Sequence, residues 1–187
     1  MKILALLTLL ALPCGLYAAP ETKNLKGVTM PVSMDLDGKK LQLNGLGLRT
    51  KVVFKVYVAG LYLEKPSKDG LEIAASEQVK RIELVFLRAV DGADVAKAIA
   101  DGFTNNAGEV LPALKERIEK FGKLIPDVKK GDRLLFLYRP GKALELEANG
   151  KSLGSIEGKD FADALFRVWL GPKPSDKALK DGLLGLL

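Results

Sequence analysis

LNGLGLRTKVVFKVYVAGLYLE, residues 43–64, decides the fold class. From Val52 to Leu63 nearly every residue is apolar or aromatic, and Lys55 is the only charge. Such a run predicts a strand covered on both faces, central in its sheet and beneath other elements. Just upstream, Gly45 and Gly47 alternate with Leu46 and Leu48. Two glycines so close in a strand predict a bulge or the close approach of another backbone. Arg49 follows them directly.

Working outward, Val28, Met30, Val32, Met34 and Leu36 alternate with Thr29, Pro31, Ser33 and Asp35, the period of a half-buried strand. Asp37-Gly38 is a type I′ hairpin pair. A two-residue turn there sets Met34 against Leu41 and Val32 against Leu43, apolar against apolar. Val79–Leu87 reads as a further strand with Ile82, Leu84 and Phe86 on one face. Asp91, with Asp94 in the first turn, opens a helix whose apolar side carries Val95, Ile99 and Phe103. Asn105-Asn106 closes a turn, and Val110, Leu111, Leu114, Ile118 and Phe121 mark a second helix with Pro112 in its first turn or at a kink. Leu134–Tyr138 is a strand ended by Pro140-Gly141. Leu144, Leu146 and Ala148 lead into Asn149-Gly150, a second I′ turn that pairs Leu146 with Leu153. Phe161, Leu165, Val168 and Trp169 share a helical face closed by Gly171 and Pro172. Ser175 is the expected cap of a last helix bearing Ala178, Leu179, Leu183 and Leu186. Strands, then helices, then strands, then helices, without sustained βαβ alternation, indicate an α+β domain: a large antiparallel sheet packed on one face by helices.

At the N-terminus, Lys2 precedes a short apolar run from Ile3 to Leu12, broken by Pro13, Cys14 and Gly15 and followed by Leu16-Tyr17-Ala18-Ala19. This is the pattern of a cleavable secretory signal peptide, cut after Ala18 or Ala19. A membrane span needs about twenty apolar residues, and no stretch of the chain reaches that length. Pro13 before Cys14 argues against a lipoprotein site. Residues 1–19 are therefore expected to be a leader and residues 20–187 one mature domain, periplasmic or secreted, without a stable membrane anchor.

The 187 residues contain no histidine and one cysteine, Cys14, inside the expected leader. Without His, a Ser-His-Asp triad is excluded, and zinc sites of the usual His/Cys kind are excluded with it. No Gly-rich phosphate loop of the P-loop or dinucleotide type is present, and no cofactor or metal is expected. Lys and Arg total 29 against 23 Asp and Glu, for a net charge of +6, but the cations are interspersed with acids. Nucleic-acid recognition, which needs clustered cations with interleaved aromatics, is not indicated.

Two residues stand out as ligand contacts. Arg49 lies beside a strand read as buried on both faces, where an isolated charge is expensive. It must meet an internal carboxylate, reach outward to water, or aim its planar fork at an anionic ligand, a carboxylate above all. Tyr57, on the buried strand, must give its hydroxyl to a backbone carbonyl or to a ligand. Trp169 reads as core.

Leu43–Arg49, Phe54–Glu64 (FKVYVAGLYLE) and Phe166–Gly185 (FRVWLGPKPSDKALKDGLLG) resemble the chalcone isomerase-like superfamily, closest to its bacterial exported branch. The resemblance spans nearly the whole mature chain and implies an open-faced β-sandwich with a cleft between sheet and helices. In the plant enzymes that cleft takes a flavonoid, and in non-catalytic relatives a fatty acid. Arg49 stands where the family arginine stands, which stabilises a phenolate in the isomerases and holds a carboxylate in the fatty-acid binders. Tyr57 occupies the position of the enzymes' catalytic threonine, as in the fatty-acid-binding members, and Val168 replaces a Ser or Thr that helps choose the substrate. The catalytic tyrosine has no counterpart: Phe103 and Asn105 lie in the corresponding region.

The expected partner is thus a small apolar anion, a fatty acid or a phenolic compound, held by Arg49 and Tyr57 without catalysis. The alternatives are an intramolecular lyase acting on a phenolic enone, or a structural or partner-binding protein whose cleft is filled by its own side chains.

Overall fold

The computed structural model describes residues 21–187, so the expected leader lies outside the described residues. A seven-stranded antiparallel sheet runs in simple neighbour order through β3 (Ser33–Leu36), β4 (Lys39–Lys51), β5 (Phe54–Leu63), β6 (Lys80–Phe86), β7 (Arg133–Tyr138), β8 (Leu144–Ala148) and β9 (Lys151–Ile156). A separate two-stranded ribbon, β1 (Thr22–Leu25) and β2 (Val28–Pro31), precedes it. The helices are α1 (Gly70–Ala75), α2 (Gly92–Asn106), α3 (Leu111–Gly122), α4 (Lys159–Leu170) and α5 (Lys177–Leu183).

Alternation along each strand sends one set of side chains into the helix layer. Leu61, Leu84, Phe136 and Leu146 meet Ile99, Leu114, Phe161 and Leu183 in the main core. The opposite face carries a smaller cluster, in which Val58, Tyr62, Val85 and Leu137 lie with Val28 and Met30 from the ribbon. The expected α+β architecture, an antiparallel sheet with helices on one face, is the one observed.

Several boundaries differ from the reading of the sequence. The single strand expected from Val28 to Leu36 is two. The chain bends at Val32, just after Pro31, and passes from the ribbon into the main sheet. Met34 still faces Leu41, and the Leu43 N–H donates to the Val32 carbonyl at 2.9 Å. Val52 and Val53 are not buried: they form an exposed two-residue turn, and only Val58 to Leu63 of β5 are buried. In the β8–β9 hairpin the expected turn holds, with Ala148 opposite Lys151, but a bulge after Leu146 places Gly154, not Leu153, opposite Leu146. The cap of α5 is Asp176, not Ser175; its Oδ1 accepts from the Leu179 N–H at 3.0 Å.

Helix α1 was not legible in the sequence, being six residues long. The fully buried Lys80 satisfies its C-terminal end, Nζ donating to the Ala74 and Ser76 carbonyls at 2.5 and 3.0 Å. Burial is the main influence on that amine and pulls its pKa down to about 8.

The two glycines of β4 behave as their spacing predicts. A register shift falls between Leu43 and Gly45. A Cβ on Gly45 would collide with the Gly182 carbonyl oxygen, and one on Gly47 with the Leu179 carbonyl oxygen. The contact is reciprocal, because a Cβ on Gly182 would strike the Leu46 carbonyl oxygen. Helix α5 is therefore seated backbone against backbone on β4, and Asn44 adds a bond from Nδ2 to the Leu183 carbonyl at 2.8 Å. Overpacking of a rigid contact costs about 1–3 kcal/mol. Gly47→Ala is expected to lower the free energy of unfolding by that amount in urea denaturation. An unchanged midpoint would show that α5 yields freely.

Candidate functional site

The β4–β5 hairpin positions both residues singled out above. Arg49 and Tyr57 are direct cross-strand partners, and a register shift between Arg49 and Thr50 follows at once. The alternation that sends Ala59 and Leu61 into the helix layer points Tyr57 the same way. Arg49 and Tyr57 both border a cavity of about 580 Å³ between sheet and helices. That volume lies within the range of small-molecule sites. The cleft is not filled by the protein's own side chains.

Leu84 and Phe86 of β6, Val95 and Ile99 of α2, and Val168 and Trp169 of α4 supply apolar walls. Val168 is held by close helix packing, since a Cβ on Gly102 of α2 would overlap its methyl group. At the hairpin end the lining passes to Lys51, Val52, Phe54 and Arg88.

Trp169 is buried in the core as expected, and it is also part of the site. Its indole N–H donates to the Tyr57 hydroxyl at 3.1 Å. Phe86 meets the Tyr57 ring edge-on, centroids 5.6 Å apart. Burial raises the Tyr57 pKa above its ordinary 10.0, opposed by the Trp169 hydrogen bond and the Arg49 charge and reinforced by Asp176. Tyr57 is thus a neutral phenol at physiological pH. Having accepted from Trp169, its hydroxyl keeps its own proton, for which the described residues supply no acceptor.

Arg49 is partly committed. Its Nη1 donates to the Thr50 carbonyl at 2.6 Å and stands 3.4 Å from Asp176 Oδ2. The internal carboxylate that the sequence left open does exist, but the contact is long and made through one nitrogen instead of a fork. Asp176 is occupied elsewhere: Oδ1 caps α5, and Oδ2 also accepts from the Thr50 N–H at 3.0 Å. Among the described residues, Arg49 Nε and Nη2 make no hydrogen bond.

Asp176 is the site residue the sequence reading missed. A carboxylate three residues before Leu179 carried the N-cap signal, but Ser175 beside it carried the same signal. Asn106, expected in a turn, ends α2 instead. Its amide donates to the Lys173 carbonyl at 2.9 Å and accepts from the Lys173 N–H at 2.9 Å, tying the α4–α5 connection to α2. Neither Phe103 nor Asn105 lines the cavity. Among the described residues no group of three or more His, Cys, Asp or Glu could hold a metal ion.

Removing the Tyr57 hydroxyl would leave the buried indole N–H without its acceptor, a loss of about 1–3 kcal/mol. Tyr57→Phe is expected to lower stability by that amount in thermal unfolding and to change the emission of Trp169, the chain's single tryptophan. Emission and stability identical to the parent would rule out the hydrogen bond.

The family model described as chalcone isomerase-like matches residues 22–185. Among solved structures, the fatty-acid binding protein of Arabidopsis thaliana superimposes with a TM-score of 0.73 at 17% identity, covering 88% of this chain and 96% of that one. No curated protein sequence matches.

Proposed function

This chain belongs to the chalcone isomerase-like family, and from that premise we propose that it binds a fatty acid in the cavity beside Arg49 and performs no chemistry on it. The observation that carries the reading is the pair of donors on one wall of an apolar cavity. The Tyr57 hydroxyl and the Nε and Nη2 nitrogens of Arg49 have protons to give and no acceptor among the described residues. A carboxylate with an apolar tail satisfies both demands. The solved relative's own description as a fatty-acid binding protein agrees with this reading.

A hydrogen bond to a charged group contributes about 1.5–3 kcal/mol, and each methylene removed from water about 0.8 kcal/mol. The tail thus supplies most of the affinity, and the arginine sets which end goes in. Asp176 works against the guest by sharing the guanidinium. Proton transfer needs a group poised near neutral pH within reach of the reacting atoms. Tyr57 titrates above its ordinary value, and Phe103 and Asn105, in the region where the resemblance would put the enzymes' tyrosine, do not line the cavity. These features support binding without turnover. We place the protein outside the cytoplasm, with residues 1–19 as a removed leader and 20–187 as the working domain.

Native mass spectrometry of protein isolated from the cells that make it tests this reading. A fatty acid should be carried, and the protein mass should start the chain at Ala19 or Pro20. Arg49→Gln should weaken fatty-acid affinity roughly 10- to 100-fold. Asp176→Asn, which keeps a capping oxygen and removes the competing charge, should tighten it. Protein that arrives empty and takes up no fatty acid in solution would overturn the reading.

A further inference from the structure

The described residues contain three other tight turns led by a non-glycine residue at positive φ: Lys26-Gly27, Asp37-Gly38 and Asn149-Gly150. Each obeys ordinary turn chemistry, with a polar residue followed by glycine. The β4–β5 turn breaks it. Val52 holds φ at +59°, in the left-handed region that a β-branched residue avoids, and Val53 follows where glycine would be expected. Nothing in the folded core uses these side chains: Val52, Val53 and Phe54 are 88, 77 and 57% exposed. They form the longest consecutive run of exposed large apolar residues in the described chain. A local rule broken without a packing gain points to a function outside the fold.

The tip is flanked by cations. Lys51 and Lys55 are exposed on the two strands that form it. The exposed Arg88 holds its guanidinium 4.8 Å from the centre of the Phe54 ring. Asp91 and Asp94 lie across the cavity, on the α2 side. An apolar wedge rimmed by lysine and arginine matches the interface of an anionic bilayer, where side chains such as Phe and Val sink to the acyl boundary and cations meet phosphate. We infer that the β4–β5 turn docks the protein on an anionic lipid surface, with Val52, Val53 and Phe54 inserted and Lys51, Lys55 and Arg88 on the headgroups. Lys51, Val52, Phe54 and Arg88 also line the cavity, so docking turns its open end toward the bilayer. Docking stands on the tip alone; transfer of cargo through it rests on the fatty-acid reading.

Val53 and Lys55 belong to the tip and do not line the cavity, so they separate the two claims. The parent protein should float with vesicles of phosphatidylglycerol mixed with phosphatidylcholine, less so as salt rises, and not with phosphatidylcholine alone. Lys55→Gln should lower partitioning about fivefold and Val53→Ser about tenfold, both with parental fatty-acid uptake and melting temperature, and with the parent's N-terminus. Val52→Gly is a control that folds readily, because glycine suits φ +59°. It should bind vesicles more weakly while remaining at least as stable. Failure of the parent to partition, or variants that partition like it, would overturn the docking. Self-association without lipid that is lost in Val53→Ser would also overturn it and assign the tip to a second copy of the chain. Failure of fatty-acid uptake alone, with vesicle binding intact, would sink the cargo reading and leave the docking standing.

Discussion

Helix α5 is seated backbone against backbone on β4, and the geometry of the site depends on that contact. Gly45 and Gly47 on the strand and Gly182 on the helix let carbonyl oxygens approach where any Cβ would collide. Because α5 is pinned there, its capping residue Asp176 reaches back to the Thr50 N–H and the Arg49 guanidinium. The register that seats α5 also sets Arg49 opposite Tyr57. A packing requirement between two backbones thus fixes the one arginine that faces the apolar cavity from β4.

The electrostatics of the pair follow from this placement. Asp176 takes one nitrogen of Arg49 at long range and keeps the cation from being isolated beside an apolar wall. It does not saturate the guanidinium, because its contact is made to Nη1 alone and its two oxygens also serve the α5 cap and the Thr50 amide. Tyr57 is held neutral by burial and oriented by Trp169, with its proton left over. The result is a cavity end with donors in excess of acceptors, which favours an anionic head group over a neutral or cationic one.

Much of this was legible in the residues. Met34 opposite Leu41, and the stripes of α2, α3 and α4, follow from local periodicity, which is cheap to read because each residue's neighbours are close in sequence. The two glycines announced a backbone approach, though not which element would make it. Arg49 stood out because a charge beside a long apolar run needs an explanation. What failed was everything that depends on where the layers end. Val52 and Val53 continue the apolar run yet lie beyond the helices that would bury them. The bulge in β8–β9 leaves no trace in the alternation of Leu144, Leu146 and Ala148. The choice between Ser175 and Asp176 depended on a partner, Thr50, 126 residues away. Trp169 was correctly placed in the core, but its indole donor needed an acceptor from a strand far away in sequence, and only the fold could supply Tyr57.

Trp169 is the sole tryptophan and forms part of the cavity wall, so it reports directly on a guest. Bromine quenches indole emission only at contact range, which makes a bromine-labelled fatty acid the most direct probe. Titration of the protein with that fatty acid should quench Trp169 to saturation at one equivalent. The same fatty acid without bromine, added in excess, should restore the emission. Emission that stays unquenched at saturating brominated fatty acid would contradict occupancy of the cavity beside Arg49 and Tyr57.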